Sequence, residues 1–179
     1  MRFRYLLNCL PLIISIFLLT NCNGQKSIDT VTQSNDEIYQ VKQGSIYDGD
    51  TLRVFATDGE EIKLRFACVD APEIKQKRGK DSRDHLRSLL RKEGMKVKLD
   101  ITDTDRYGRK VAVLYLLNGK AVQTLQVKDG KVFGYDRYKS DCPIWNEIKK
   151  GETIAKNRKS GVWGDNPPQY PWEWRKKNR

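Results

Sequence analysis

The sequence predicts an α+β domain rich in β structure, a five-stranded barrel carrying about three α-helices on one side. Three observations lead there. Short runs of alternating apolar and polar residues recur from Ile38 to Leu117 with turn dipeptides between them; a stripe of leucines at helical spacing interrupts them once; two further helical stretches follow. At 179 residues the chain is long enough for one ordinary domain with a real core and too short for two large ones.

The first three strands cover 38–41, 51–55 and 62–66, the last two joined as a hairpin through Asp58-Gly59. A helix over about 81–92 follows, with Leu86, Leu89 and Leu90 on one stripe, charge on the other faces, and Gly94 as its stop. Strands four and five cover 96–101 and 110–117, separated by a charged loop and ended by the turn Asn118-Gly119. A short helix over 121–128 stops at Asp129-Gly130, and a last helix starts near Pro143 and runs to about Lys159, where Pro suits a first turn and Gly161 the stop. Strands and helices in this order fit a barrel of OB type.

The ends differ from this body. Arg2 and Arg4 precede a mainly apolar stretch from Leu6 to Leu19 whose densest part, Leu10 to Leu19, is well short of the ~20 residues of a spanning helix. Residues 1–22 therefore read as an export signal. Cys22, with Leu19 three positions before it, sits where lipoprotein signals place the cysteine that carries lipid, although Asn21 replaces the usual small residue and keeps plain secretion as the alternative. Either an envelope membrane anchor or secretion follows. Residues 23–37 are polar and read as a tether that would hold the domain roughly 20 Å from its anchor. The catalytic or binding domain spans 38–164, and 165–179 form a tail of prolines, tryptophans and basic residues.

The formal charge of +11 with 32% charged residues excludes the bilayer-embedded and disordered classes and points to a polyanionic partner. No CxxC pair or Cys/His cluster is present, so a thiolate metal site is excluded. Cys68 and Cys142 read as two partly buried free thiols, with a disulfide as the other possibility in an exported protein.

Three clusters carry the candidate chemistry. Asp48-Gly49-Asp50-Thr51 lies at a strand turn, where alone it reads as an ordinary hairpin. Arg65 to Glu73 follows a strand and packs a cation, Asp70, Glu73 and the Pro72 bend into nine residues. Asp50 and Asp70, oxygen-only and without a histidine partner, are hard donors suited to calcium or another hard cation. Asp103 to Arg109 supplies Arg106 and Arg109, planar forks for phosphate, and Tyr107, able to stack on a base; alone it would be a solvated loop. The only histidine, His85, falls inside the first helix on what reads as a solvated face, so a water-activating base has to be a carboxylate, with Glu73 best placed.

DGDT, R-x4-DAPE and DRYGR, in this order and spacing over about 45–164, resemble the staphylococcal nuclease family, and the stretch Pro167 to Arg175 is similar to its exported members. The resemblance implies a calcium-dependent endonuclease acting on DNA and RNA, preferring single-stranded or locally open substrate, with no obligate protein partner. It implies that Asp50, Asp70 and the backbone carbonyl of Ala71 hold calcium. Glu73 would be or position the general base. Arg65 and Arg109 would clamp phosphate, Arg109 also at the leaving 5′ oxygen, so products would carry 3′-phosphates. Two departures stand out: Ala71 replaces the Thr of the best-studied member, and Phe133 aligns with its nucleotide-packing phenol, leaving Tyr135 and Tyr138 with Arg106 and Tyr107 as candidate substrate contacts. The competing reading is a non-catalytic nucleic-acid-binding OB module, which has no use for three carboxylates in a phosphate groove. A lipid-tethered adhesion protein, resting on Trp163, Trp172 and Trp174, leaves those acids unexplained.

Overall fold

Alternation along each strand decides what the barrel encloses. The structure is a computed structural model that describes residues 37–178; the export signal, Cys22 and most of the tether lie outside the described residues. In chain order the elements are β1 (Tyr39–Val41), β2 (Thr51–Phe55), β3 (Glu61–Phe66), β4 (Val69–Asp70), α1 (Gly79–Lys92), β5 (Lys96–Thr104), β6 (Lys110–Tyr115), α2 (Val122–Lys128), β7 (Phe133–Gly134), α3 (Trp145–Asn157) and α4 (Pro171–Lys177), with 3-10 turns at Asp136–Tyr138 and Gly161–Gly164. Leu52 faces Leu64 across β2 and β3, and together with Val54, Phe66, Val97, Leu99, Ala112 and Leu114 they point inward and are fully buried.

The barrel closes in the order β1-β2-β3-β6-β5, with β1 paired to β5; only β3 and β6 run parallel. This is the expected five-stranded barrel of the OB type. Leu86 and Leu90 bury the inner stripe of α1. Four helices form rather than three, because Pro171 opens a further helix in the C-terminal segment.

Two features of the β3 exit were not expected. The backbone turns at Cys68, whose φ is 70°, and β4 then leaves the barrel to pair with β7, Val69 opposite Gly134 and Asp70 opposite Phe133. That pairing draws the chain after β7 back over Cys68, whose carbonyl accepts from the Tyr135 N–H at 2.9 Å. Cys68 and Cys142 are consequently disulfide-bonded, with 5.2 Å between their Cα atoms, and are not the free thiols expected from sequence. No described helix is long and apolar enough to cross a membrane.

Candidate active site

Each functional carboxylate is delivered by a backbone kink that packing holds in place. The loop before β2 carries Asp48, Gly49 and Asp50. Gly49 sits so tightly against α1 that a Cβ there would lie 1.8 Å from Ser82 Oγ, and its carbonyl accepts from buried Gln126 Nε2 at 2.7 Å. Asp48 Oδ1 closes the turn by accepting from the Asp50 N–H at 3.0 Å. Asp50 Oδ2 then reaches across to accept from the Ala71 N–H at 2.6 Å, tying this loop to the end of β4.

Arg65, near the end of β3, joins the two aspartates. Its guanidinium donates to the carbonyls of Phe66 at 3.0 Å and Val69 at 2.9 Å, and pairs with Asp50 Oδ2 and Asp70 Oδ1, both at 3.0 Å. Asp50 is 6% exposed and Asp70 2%. Carboxylates at such depth are retained only where cations and donors offset their lost hydration. Burial pushes the Asp70 carboxyl above its ordinary range even though Arg175 and Arg65 pull it down. Burial, reinforced by the charge of Asp50, pushes Asp48 up to about 7.

Pro72 bends the chain after Ala71 and sends Glu73 into the same space. The Glu73 N–H donates to Gln76 Oε1 at 3.1 Å, and Gly79 allows α1 to start against the Glu73 carbonyl, which a Cβ would meet at 2.0 Å. The Glu73 carboxylate is gripped by a residue that sequence reasoning missed. Arg175 of α4 donates from Nη1 to Glu73 Oε1 at 2.7 Å and from Nη2 to Asp70 Oδ2 at 2.7 Å. The only sequence signal for it was its place in the Trp174-Arg175 end of the tail motif, 105 residues from Asp70.

The second planar cation stands opposite, in the β5–β6 loop. Asp105 fixes it, accepting from the Arg109 N–H at 3.0 Å, from Arg109 Nε at 2.7 Å and from the Tyr107 N–H at 2.9 Å. The Tyr107 ring is 68% exposed, with the guanidinium groups of Arg106 and Arg109 at 5.0 and 5.7 Å from its centroid.

One groove of about 460 Å³ collects the candidate catalytic, metal-binding and substrate-binding residues Asp50, Arg65, Asp70, Ala71, Glu73, Arg106, Tyr107, Arg109, Tyr135 and Tyr138, with Asp48, Arg137, Trp172 and Arg175 beside them. Trp172 stacks on Tyr135 at 5.0 Å, and Tyr138 meets Tyr135 edge-on. Phe133 is buried among Trp163, Tyr170 and Trp172 and does not line the groove. His85 does not line the groove. It is not on a solvated face either, because its Nε2 meets Asp129 Oδ2 at 2.9 Å where α1 approaches α2. Among the described residues no cluster of three or more side-chain metal ligands occurs, so a cation here would rely on two carboxylates, backbone oxygen and water.

Comparison with known proteins agrees with this geometry. Residues 63–165 match the model of the family described as staphylococcal nuclease homologues. A protein of Arabidopsis thaliana named staphylococcal-like nuclease CAN1 is 34% identical over 71% of this chain, which spans only 39% of that larger protein. An uncharacterized endonuclease of Escherichia coli O157:H7 is 33% identical over 73% of this chain and 80% of its own length. Another, of Haemophilus influenzae, is 31% identical over 98% of this chain and 87% of its own length. With a barrel of the expected order, one groove holding all three sequence clusters, and more than half of its length matching a single family, the chain belongs to the staphylococcal nuclease family.

Proposed function

We propose that this nuclease is a calcium-dependent endonuclease that hydrolyses phosphodiester bonds of DNA and RNA and leaves 3′-phosphates. The observation that carries the reading is the pair of buried aspartates bridged by Arg65, with Glu73 and Arg109 on the same groove. The donor set fits a hard cation: Asp50 and Asp70 offer only oxygen, and the guanidinium held by Asp70 and Glu73 marks a place where positive charge is bound. Asp50, Asp70 and the Ala71 carbonyl would hold calcium, which when bound supplies Lewis-acid stabilisation of charge on the phosphate.

The chain's own residues do the rest. Glu73 accepts the proton of the attacking water, the new P–O bond forms as the P–O5′ bond breaks, and the 5′ oxygen leaves to be protonated as an alcohol. Arg65, held between the two aspartates, would bring positive charge beside the phosphate, and Arg109 would offer a planar fork that a lysine cannot reproduce, acting also on the leaving oxygen. Arg106, Tyr107, Tyr135 and Tyr138 supply cations and rings for the flanking nucleotides, a set suited to unpaired bases.

Export and lipid attachment at Cys22 complete the proposal. The Cys68–Cys142 disulfide supports an oxidising compartment, and a basic domain adds electrostatic attraction to anionic lipid. A mass spectrum of the mature N-terminus checks it; an unmodified terminus at or beyond Asn23 would mean secretion. The activity is tested by digesting single-stranded DNA and RNA with protein lacking residues 1–22, in calcium, in magnesium and in chelator. Cleavage is expected in calcium and abolished by chelation, with Arg65→Ala and Arg109→Ala each slower by roughly 10²–10³. Undiminished cutting in chelator would remove the metal mechanism.

A further inference from the structure

Arg175 occupies one ligand that the calcium reading needs, Asp70, together with the carboxylate assigned as base, Glu73. Asp70 receives Arg65 on Oδ1 and Arg175 on both oxygens, Nη1 at 3.3 Å and Nη2 at 2.7 Å, while the same Nη1 holds Glu73 Oε1 at 2.7 Å. An arginine guanidinium stays cationic throughout the physiological pH range, so it brings a full positive charge to these two carboxylates. A divalent cation approaching Asp70 meets this charge at contact distance, so the two either exchange or repel, and both routes make their binding mutually unfavourable.

The way α4 is mounted suits an arginine that swings aside without detaching. The segment before it is anchored: Asp165 pairs with Lys77 at 2.7 Å and Arg78 at 3.2 Å, and the Gln169 carbonyl accepts from Gln76 Nε2 at 2.6 Å. Pro171 is buried, and Trp172 lies stacked between Tyr135 and Tyr170 at 5.0 and 4.7 Å. Arg175 itself is one turn further on, in a seven-residue helix, with a side chain 34% exposed. A helix this short has little stability of its own, so its last turn is held largely by what the arginine grips. Tethering keeps that arginine at high effective concentration beside the acids.

Resting on the calcium reading above, we propose that Arg175 is a further residue of this site: a tethered competitor that occupies Asp70 and Glu73 until calcium displaces it, thereby setting the calcium level at which the enzyme becomes active. Arg175 lines the same groove as Arg65 and Arg109.

Calcium titration calorimetry on the mature parent, Arg175→Gln and Arg175→Lys tests this, each protein first shown folded by its melting curve. Arg175→Gln is expected to bind calcium at least tenfold more tightly, about 1.4 kcal/mol. Arg175→Lys, which keeps the charge but loses the two-pronged grip, should fall between. In the parent alone, calcium should also raise amide hydrogen exchange over 174–178, a readout that stands even if Arg175→Gln fails to fold. Equal or weaker calcium binding in the folded variants, or unchanged exchange in the parent, would overturn the competition while leaving calcium dependence intact. No calcium binding in parent or variants would overturn both.

Discussion

Adding one methyl group at Gly49 should test how the site is assembled. Gly49 separates the two loop aspartates, and its backbone lies outside the left-handed region, so Gly49→Ala isolates packing from conformational strain. The new Cβ would stand 1.8 Å from Ser82 Oγ and 2.9 Å from both Ser82 Cβ and Ala71 Cβ. Carbon contacts settle near ~3.5–4.0 Å, so the loop and α1 must part by more than about 1 Å. Overpacking of this kind costs about 1–3 kcal/mol, and each kcal/mol lowers the melting temperature by about 2–4 °C in a domain of this size. Asp50 is the next residue, and its 2.6 Å bond from the Ala71 N–H cannot survive such a shift unchanged. A displacement of about 1 Å at a reacting group can lower turnover roughly 10²-fold.

The assay pairs a thermal melt with cleavage of single-stranded DNA at saturating calcium. Ser82→Ala supplies the internal control. Ser82 Oγ is buried without a hydrogen-bond partner, so its removal alone should cost little, and in the double variant it should restore part of both losses. The remaining 2.9 Å approaches keep the rescue incomplete. A Gly49→Ala protein with the parent's melting temperature and turnover would refute the wedged loop as the device that aims Asp50.

Other predictions concern the supports around the groove. Opening the Cys68–Cys142 bridge, by reductant or Cys142→Ser, frees a loop with a sequence separation of 74 and should lower unfolding free energy by about 4 kcal/mol on chain-entropy grounds; urea melts with coincident midpoints would contradict it. Asp105→Ala removes the acceptor of Arg109 Nε and of two backbone N–H groups, and turnover should fall about tenfold or more with the melting point changed by only a few degrees; parental turnover would show that Arg109 needs no such holder. His85→Gln should cleave within about twofold of the parent, since the imidazole is outside the groove. Burial holds His85 below its ordinary 6.5, so the unfolded chain takes the proton first; its contribution to stability is complete above that pH and is lost as pH falls below it. Stability profiles between pH 7 and 5 should therefore be flatter in His85→Gln, and parallel profiles would exclude the effect.

What could be read in the sequence was whatever is encoded over a few residues. Leu52 and Val54 facing inward, the leucine stripe of α1, and the motifs DGDT, DAPE and DRYGR each depend on spacing over a few residues; the first two placed the barrel, and the motifs named residues that the fold brings to one groove. Cys142 and Arg175 find their partners across 74 and 105 residues, over a route that exists only once β4 has paired with β7. Composition near Cys68 cannot announce that pairing, because β4 and β7 are two residues each and too short to show a period. Arg175 was hidden for a related reason: a basic residue in a tail with Lys176 and Lys177 beside it reads as solvated charge until a fold brings carboxylates to it. The same distance that hid Arg175 is what suits it to control. Arg65 is held within β3 by the carbonyls of residues one and four positions away and by both aspartates, whereas Arg175 reaches its partners from the last turn of a short helix and can exchange its grip at the cost of that turn. Two arginines on one aspartate thus differ in how much structure each must disturb to let go, and that difference separates a fixed part of the site from a movable one.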